Sequence, residues 1–369
     1  MRVLLVTHDV SRSGAPRVAV LVARSLVDQG HEVRVVARAR GPLLSEFAAL
    51  APTFVEPWPK VRNKLWSWRP SRLLGYLADT VIASLVLLRW RPDLVYLNTT
   101  AAGIYLRPAR RLRRQVLLHV HESGPVAARF LSAARAPGLD GVELVACSPS
   151  VRADLAALTH RIAAAITLLP SVPDGPVVRR LSAAPPDLVS YDGADLIVGC
   201  CGTVEHRKGA DLWAAIAAEV ERAVPGRALR FVWLGEVAAD VDQAGVEFLG
   251  PTSNPYPHLR RFDVAALPSR DDPFPLVVLE AMLLGTPVVA FGVGGVADQV
   301  GDAGTVVPAG DVAAFAQAVA RLLTDDELRT RLGTAARDRA EALYSTRAFA
   351  EGLSRVVEEA ARRRPAADD

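Results

Sequence analysis

Apolar and polar residues alternate along this chain in blocks that predict strands and helices in turn. The apolar run at 2–7 predicts a strand, residues 17–29 an amphipathic helix, and the run HEVRVVAR at 31–38 the next strand. Further strands are predicted at 93–98, 115–120 and 143–148, with helical stretches at 73–88 and 151–157. This order is typical of a parallel sheet covered by helices.

A second set of the same kind follows residues 169–195, which are rich in proline, serine and glycine and which we interpret as a domain linker. Its strands are predicted at 196–203, 229–235, 246–250, 264–269, 287–292 and 304–308, with a helix at 210–224 and a charged helical region from 311. We therefore expect two α/β domains, residues 1–172 and 173–345, with a C-terminal helix at about 346–369 that packs back on the first. Ligands of such sheets bind beyond the carboxyl ends of the strands, so a site is expected in a cleft between the domains.

The stretch DDPFPLVVLEAMLLGTPVVAFGVGG at 271–295 combines acidic residues, prolines, an apolar helix and a glycine cluster. The pattern predicts a short helix at 276–284 with Pro275 as its first residue, followed by a buried strand. The amides around Leu276 can bind an anion, and Glu280 can accept paired hydrogen bonds from the neighbouring hydroxyls of a sugar. A lone carboxylate in such an apolar helix would be costly to bury without a partner of this kind.

Three other strand ends carry candidate chemistry. Gly14, in THDVSRSGAPR, would let a ligand approach the backbone, although the absence of G-x-G-x-x-G argues against a dinucleotide-dependent dehydrogenase. His121 and Glu122, in HVHESG, follow a strand, which favours a ligand-facing histidine over a structural histidine or a metal pair. Arg207 and Lys208, in GTVEHRKG, predict a phosphate site, with an exposed basic turn as the alternative.

Composition places the chain among globular proteins with ample core. It has 369 residues, of which 50% are hydrophobic and 22% charged. Cys147, Cys200 and Cys201 lie in or beside apolar runs without metal-ligand spacing, which predicts buried thiols and a reducing, cytoplasmic setting. The first residues do not resemble a signal peptide, and the longest apolar run, 81–88, is far below the roughly 20 residues of a bilayer span. An integral membrane protein is therefore not expected.

Charge is unevenly distributed along the chain. Residues 1–175 contain 23 lysines and arginines against 12 acidic residues, whereas the rest contains 20 against 28. Basic and tryptophan residues mix at 57–76, and 107–114 reads RPARRLRR. This pattern favours peripheral docking on an anionic membrane, while a loop for a soluble anionic acceptor and a plain solvated surface stay open. Nucleic acid is disfavoured because no known binding module is recognisable.

The C-terminal motifs resemble those of the retaining glycosyltransferases of family 4. The E-x7-E pattern of that family stands here as Asp272 and Glu280, followed by AMLLGTPVVA at 281–290 and a glycine pair, and GTVEHRKG resembles its G-R-x-x-x-x-K-G segment. SGAPR, GPLLSE, LVYLNT and HVHE resemble the N-terminal half of a subgroup that acts on glycans. The resemblance spans nearly the whole chain and implies the GT-B fold, with two Rossmann-like parallel-sheet domains facing a central cleft.

This resemblance also implies roles for particular residues. Glu280 would hold the ribose of a nucleotide-diphosphate sugar, Asp272 would lie by the sugar ring, and Lys208 would neutralise the diphosphate. His121 would contact the donor sugar, and Gly14 would let the first loop close over phosphate and acceptor. Further donor contacts are implied at Thr203, Arg207, Phe274, Pro275 and Leu276.

Three positions depart from the family pattern. Its first glutamate is Asp272 here, its arginine after the strand glycine is Thr203, and the glycine of E-x-F-G-L is Pro275. Arg207 would supply the missing charge, and Pro275 fits a first helical turn. Because of these departures, the alternative that the chain is a non-catalytic, glycosyltransferase-like partner subunit stays open.

We expect a metal-independent hexosyltransferase without a cofactor. No D-x-D stands at a strand end, so Lys208, Arg207 and helix amides would meet the charge of the departing diphosphate. Retention of configuration is implied by the resemblance, and the acceptor is expected to be a glycan, a lipid-linked molecule or a small molecule. His8 and Asp9 leave open an inverting transfer with a general base. A phosphorylase or an epimerase of the same fold also stays open.

Overall fold

The computed structural model describes residues 1–56, 69–135, 138–189, 191, 196–238 and 244–362, and the chain divides into two units. The first unit comprises Met1–Ser171 and the chain from Arg347, and the second comprises Val172–Thr346. The tryptophan and lysine residues of the basic pattern at 57–68 lie outside the described residues, and for residues 69–74 only the backbone is described.

The first unit is built on a seven-stranded sheet in which all pairs are parallel. Its strands are β1 Arg2–Thr7, β2 Glu32–Ala37, β3 Thr53–Val55, β4 Leu94–Leu97, β5 Gln115–Val120, β6 Glu143–Ala146 and β7 Thr167–Leu168. Their order is β3-β2-β1-β4-β5-β6-β7, and Val3 of the inner strand β1 pairs with Val33 and Leu94. Strands β4 and β6 are buried along their whole length, as is expected of a sheet covered on both faces.

Helices cover this sheet, and one of them begins earlier than predicted. The α-helices are Gly14–Asp28, Leu44–Leu50, Arg69–Trp90, Leu106–Arg111, Gly124–Ala133, Pro149–Thr159 and Thr346–Arg362, with 3-10 turns at Thr100–Tyr105 and Ala163–Ala165. Gly14 is the first helical residue and not a loop residue. Pro16 then lies in the first turn, where proline is tolerated because the N–H group that it lacks would have no partner within the helix.

The second unit is built on a six-stranded parallel sheet. Its strands are β8 Leu196–Cys201, β9 Leu229–Leu234, β10 Glu247–Gly250, β11 Val264–Leu267, β12 Val288–Phe291 and β13 Thr305–Val307. The order is β10-β9-β8-β11-β12-β13, so the direction in which strands are added changes beside β8. In sheets of this kind, ligands bind at the carboxyl ends of the strands near that change.

Helices also cover the second sheet. They are Gly175–Leu181, Trp213–Ala223, Tyr256–Arg261, Leu276–Leu283, Val296–Val300, Val312–Thr324 and Asp326–Leu343, with 3-10 turns at His206–Lys208 and Ala210–Leu212. The helix Gly175–Leu181 lies inside the segment interpreted as a linker. It forms because the Asp174 carboxylate accepts a hydrogen bond from the amide of Val177 at 3.3 Å, and Pro176 is tolerated at a helix start.

The C-terminal helix Thr346–Arg362 belongs to the first unit. Its buried face comprises Phe349, Gly352, Leu353, Val356, Val357 and Ala360. A Cβ atom on Gly352 would lie 2.8 Å from Leu169, and Gln29 donates a hydrogen bond to the carbonyl of Ala350 at 3.1 Å. No helix in the described ranges combines the length and the apolar character that crossing a membrane requires.

Candidate active site

Three loops that follow strands β8, β11 and β12 meet in the second unit. Gly209 has φ +79°, and a Cβ atom there would lie 1.9 Å from the carbonyl oxygen of Pro268. Gly294 has φ +53°, and a Cβ atom there would lie 2.0 Å from the carbonyl oxygen of Asp272. Only glycine permits both approaches, so these two residues bring the loops into contact.

Lys208 and Asp272 form an ion pair where the loops meet. Lys208 Nζ lies 2.5 Å from Asp272 Oδ2, and the two side chains are 15% and 8% exposed. Lys208 ends the 3-10 turn that precedes Gly209, and Asp272 lies in the loop after β11. Charges so far removed from water are tolerated only when they are paired, and each of these two groups compensates the other. The structure thus joins two predicted site residues that are far apart in the sequence.

Arg207 turns away from this pair. Its guanidinium donates to the carbonyl of Asp271 at 3.0 Å and to the carboxylate of Glu205 at 2.7 Å, and its side chain is 45% exposed. Arg207 was expected to supply the charge of the family arginine, whose place is taken by Thr203. Its guanidinium is already paired with Glu205.

Arg270, which belongs to none of the sequence motifs, joins the same loops. It forms two hydrogen bonds to Asp211, at 2.6 and 2.7 Å, and these lower the pKa of that carboxyl. Asp211 lies in the 3-10 turn Ala210–Leu212, so this ion pair joins that turn to the loop after β11. The backbone amide of Arg270 also donates to the carbonyl of Arg207 at 2.8 Å.

Glu280 lies on the helix Leu276–Leu283 and is only 2% exposed. The hydroxyl of Tyr256 donates to its Oε1 at 3.4 Å. The predicted need of this carboxylate for a hydroxyl partner is met in part by Tyr256. Nothing in the local sequence connects the two residues, because Tyr256 lies on a separate helix.

The start of this helix differs in detail from the prediction. Pro275 is the N-cap, with ψ 118°, and not the first helical residue. Its carbonyl accepts a hydrogen bond from Nε2 of Gln299 at 3.0 Å. In a trans peptide the carbonyl and the following N–H point in opposite directions, so this bond sets the direction of the Leu276 amide. Gln299 is fully buried, and its Oε1 has no hydrogen-bond partner within the described residues.

Phe274 and Leu276, two of the residues implied to contact the donor, have buried side chains and could reach it only through their backbone. Phe274 is 8% exposed and packs edge-on against Tyr344, with 5.8 Å between the ring centroids. The side chain of Leu276 is also buried. Thr203, in contrast, is exposed after the end of β8.

At the strand ends of the first unit, His119 has a structural role. Its Nδ1 accepts a hydrogen bond from the hydroxyl of Tyr96 at 2.8 Å, and its Nε2 donates to the carbonyl of Leu169 at 3.2 Å. Burial lowers the pKa of His119 to about 4. The imidazole is therefore neutral at physiological pH.

His121 lies beside it, with 4.1 Å between the ring centroids. Its Nδ1 lies 3.1 Å from the hydroxyl of Ser171, and its buried Nε2 has no hydrogen-bond partner among the described residues. Burial and then the neighbouring His119 and His8 lower the pKa of His121 well below its usual range. A neutral imidazole with one nitrogen left can form one further hydrogen bond.

Glu122 is held by hydrogen bonds within the first unit. Its carboxylate accepts hydrogen bonds from the hydroxyl of Thr99, from the amide of Thr100 at 3.4 Å and from the amide of His121 at 3.1 Å. It therefore ties the end of β5 to the end of β4.

The loop after β1 contains the His8–Asp9 contact. His8 Nε2 lies 3.4 Å from Asp9 Oδ2, and Asp9 Oδ1 accepts hydrogen bonds from the amide and the hydroxyl of Ser11. Asn98, at the end of β4, donates to the carbonyl of Ala15 at 2.8 Å and fixes the start of the helix that contains Gly14.

Comparison with known proteins identifies the family. A family model described as Glycosyltransferase Family 4 matches residues 12–171, and one described as Glycosyl transferases group 1 matches residues 195–325. The chain belongs to the family-4 glycosyltransferases. It is 32% identical over 182 residues to D-inositol 3-phosphate glycosyltransferase of Corynebacterium aurimucosum, which is 44% of this chain and 43% of the relative.

A longer match, 27% identical over 301 residues, is to glycogen synthase of Mycobacterium tuberculosis and covers 72% of this chain and 69% of the relative. The chain spans less than half the length of several other curated relatives that it matches, for example 24% of the D-inositol 3-phosphate glycosyltransferase of Corynebacterium jeikeium.

Solved structures identify the fold. The Anabaena protein Alr3699/HepE, crystallised with UDP-glucose, has a TM-score of 0.72 at 18% identity and covers 97% of this chain and 100% of that one. A glycosyltransferase from Rickettsia africae has a TM-score of 0.73 at 14% identity, with 99% of both chains covered. Together with the two parallel sheets, these likenesses establish the GT-B fold of this family-4 glycosyltransferase.

No metal site is evident in the part of this glycosyltransferase that the structure describes, where no three His, Cys, Asp or Glu side chains come together. Independence of metal remains a prediction, as do the ligand contacts of Gly14, Thr203 and His121.

Proposed function

We propose that this chain transfers a hexosyl group from a nucleotide-diphosphate sugar to an acceptor hydroxyl, with the donor bound at the strand-end loops of the second unit. The observation that carries this proposal is the Lys208–Asp272 ion pair, which is largely withdrawn from water where three loops meet. The presence of UDP-glucose in a neighbour of the same fold supports it.

The donor would be held by charge and by hydroxyl recognition. Lys208 neutralises one phosphate, and the first N–H groups of the helix Leu276–Leu283 have no acceptor within that helix and can donate to another. Glu280 accepts hydrogen bonds from the ribose hydroxyls. A carboxylate has about four acceptor positions, so Glu280 can keep its bond from Tyr256 as well.

In the transfer, the acceptor oxygen bonds to the anomeric carbon while the bond from that carbon to the diphosphate oxygen breaks. The electron pair stays with the diphosphate, which takes up the hydroxyl proton. Lys208 and the helix N–H groups stabilise the leaving charge without a metal ion. Asp272 lies beside the reacting sugar, His121 contacts that sugar through its remaining nitrogen, and the anomeric configuration is retained.

The acceptor proposed for the first unit is a glycan, a glycolipid or a small molecule. Curated relatives include a lipopolysaccharide core mannosyltransferase of Rhizobium leguminosarum, 34% identical over 152 residues, as well as the inositol phosphate and glycogen enzymes. Product analysis with one acceptor of each class would distinguish among them.

Substitution of Lys208 tests the proposal. Lys208→Ala should lower kcat/KM for donor hydrolysis by about a hundredfold, because one preorganised charge next to the leaving group is lost. Lys208→Arg should retain part of the activity. The control is Arg222→Ala, which removes an exposed cation that pairs with Glu219 in the same unit. Unchanged hydrolysis and unchanged thermal stabilisation by nucleoside diphosphates in Lys208→Ala would exclude this site.

The His8–Asp9 contact supports a second candidate, an inverting transfer in which His8 is the general base. Proton NMR of the first product formed gives its anomeric configuration. An inverted product, lost in His8→Ala, would establish this mechanism in place of retention.

A further inference from the structure

The helix Arg69–Trp90 has an exposed apolar stripe. Leu77, Val81, Leu85 and Leu88 are 49%, 56%, 60% and 51% exposed, and they recur at intervals of four, four and three residues. This spacing aligns the four side chains along one side of the helix. The solvent side of a surface helix is normally polar, and single exposed apolar residues are common whereas contiguous ones mark a contact surface.

The other side of this helix is firmly held. Ala83 and Leu87 are fully buried. Asp79 accepts a hydrogen bond from the buried Arg38 at 2.8 Å, and Arg38 also forms an ion pair with Glu56 at 3.0 Å. Because buried charges need such partners, the network fixes which side of the helix faces outward. The apolar stripe is therefore a defined surface.

Arginines flank the stripe at both ends. Arg89 and Arg91 are exposed and follow Leu88. At the other end, the guanidinium of Arg135 lies 5.1 Å from the ring centroid of Tyr76, the residue next to Leu77. The helix Leu106–Arg111 packs against the helix Arg69–Trp90 and adds Arg107, Arg110 and Arg111. Among nearby carboxylates, Asp79 is paired with Arg38 and Asp93 with Arg2, while Asp140 is exposed.

Three arginines of this region have a left-handed backbone. Arg91, Arg113 and Arg135 have φ values of +50°, +52° and +45°, and each follows the end of a helix. Glycine or asparagine adopts this conformation at lower cost, whereas a cation at a helix C-terminus is favoured by the helix dipole. The side chains of all three arginines are exposed and available to an anionic partner.

We propose that the apolar stripe and these arginines form a docking surface for an anionic lipid bilayer. The leucines and the valine enter the boundary between headgroups and acyl chains, and the guanidinium groups bind lipid phosphates. A second copy of the chain fits less well, because a symmetric interface would bring the arginines of both copies together. Docking of this kind does not require the donor site, and it would place the first unit at a lipid surface.

Co-sedimentation of the full chain with vesicles tests this docking. The chain should bind vesicles of phosphatidylglycerol and phosphatidylcholine at least about tenfold more tightly than vesicles of phosphatidylcholine alone, and about 1 M salt should weaken the difference. The double variant Val81→Gln, Leu85→Gln should lose about tenfold in binding. Leu343→Gln, at an apolar residue of the second unit that is 52% exposed, should bind like the wild type.

A second variant separates docking from folding. Arg91→Asn, Arg113→Asn and Arg135→Asn together should weaken binding about tenfold or more, while the melting temperature stays the same or rises because asparagine suits a left-handed backbone.

Absence of binding to anionic vesicles at low salt, or wild-type binding by both variants, would overturn the proposal. A wild-type dimer that Val81→Gln, Leu85→Gln converts to a monomer in sedimentation velocity would show that a second copy covers the stripe instead. Thermal stabilisation by nucleoside diphosphates, measured in the same variants, reports on the donor site separately.

Discussion

His119 lies in strand β5 and His121 directly after its end, and both are held in the neutral form. For His119 the cause is burial between Tyr96 and Leu169, which take up both ring nitrogens. For His121 one nitrogen faces Ser171 and the other has no hydrogen-bond partner in the described part of the chain. A histidine whose two nitrogens are satisfied stabilises the fold, whereas one with a nitrogen left can also bind a ligand.

Stability should fall in mild acid because of His119. Its pKa is 6.5 in ordinary surroundings and about 4 in the fold, so between these values the unfolded chain takes up a proton that the native chain does not. The native state thus loses stability as the pH falls from about 6.5 to about 4, by about 2 kcal/mol at pH 5. Urea unfolding at pH 7.5 and pH 5 should show a smaller loss in His119→Gln. An equal loss in both proteins would contradict this assignment.

Gln299 is a positioning residue for the helix that we propose binds the diphosphate. Gln299→Met keeps the length of the side chain but removes the donor to the carbonyl of Pro275, so the Leu276 amide loses its fixed direction. We expect nucleoside diphosphates to bind about five- to tenfold more weakly, which corresponds to one lost hydrogen bond. Calorimetric titration measures this, with the exposed Gln317→Met as control. Unchanged affinity together with reduced stability would leave Gln299 a purely structural role.

Among the elements, the loops after the strands depend on glycine more than the strands do. Gly209 and Gly294 combine a left-handed backbone with contact to the neighbouring loop. Without them, the loops that contain Lys208 and Asp272 would be pushed apart. The ion pair is therefore a consequence of loop packing as well as of charge.

Gly294→Ala should be costly for this reason. Gly310 also has a left-handed φ, of +82°, but nothing lies within 4 Å of a Cβ atom there. Gly310→Ala should cost about 1 kcal/mol of unfolding free energy for the backbone alone, whereas Gly294→Ala should cost at least about twice that and weaken nucleoside diphosphate binding. Equal costs in chemical denaturation would show that the loop after β11 can move away freely.

Elements with long apolar patterns were predictable from the sequence, and short ones were not. The predicted strands at 2–7, 115–120 and 229–235 are confirmed. Strands β3 and β7, of three and two residues, went unpredicted, because such short strands are stabilised by their neighbours and not by their own pattern. The same reason applies to the helix Gly175–Leu181, whose prolines suggested a loop.

At the scale of the whole molecule, the first unit is discontinuous in sequence. It ends with the helix Thr346–Arg362, which the chain adds only after the second unit is complete. The buried Leu353 and Phe349 of this helix contribute to the core of the first unit. Stability of that unit therefore depends on residues at the end of the chain.

Leu353→Ala should destabilise the first unit selectively. Removal of a fully buried leucine costs about 2–5 kcal/mol. Hydrogen–deuterium exchange should accelerate in the helix Gly14–Asp28 of the first unit and stay unchanged in the helix Leu276–Leu283 of the second. Exchange that accelerates equally in both helices would show that the two units unfold together.

The sequence by itself determined the two alternating α/β sets and the motif from Asp272 to the glycine pair, because periodicity and motifs are written in residues close along the chain. Only the tertiary structure decided that Lys208 meets Asp272, that Tyr256 meets Glu280 and that Gln299 orients Pro275. It also decided which side of the helix Arg69–Trp90 faces outward. These contacts join distant segments, and they form because loops approach one another and buried charges require partners, neither of which a local pattern encodes.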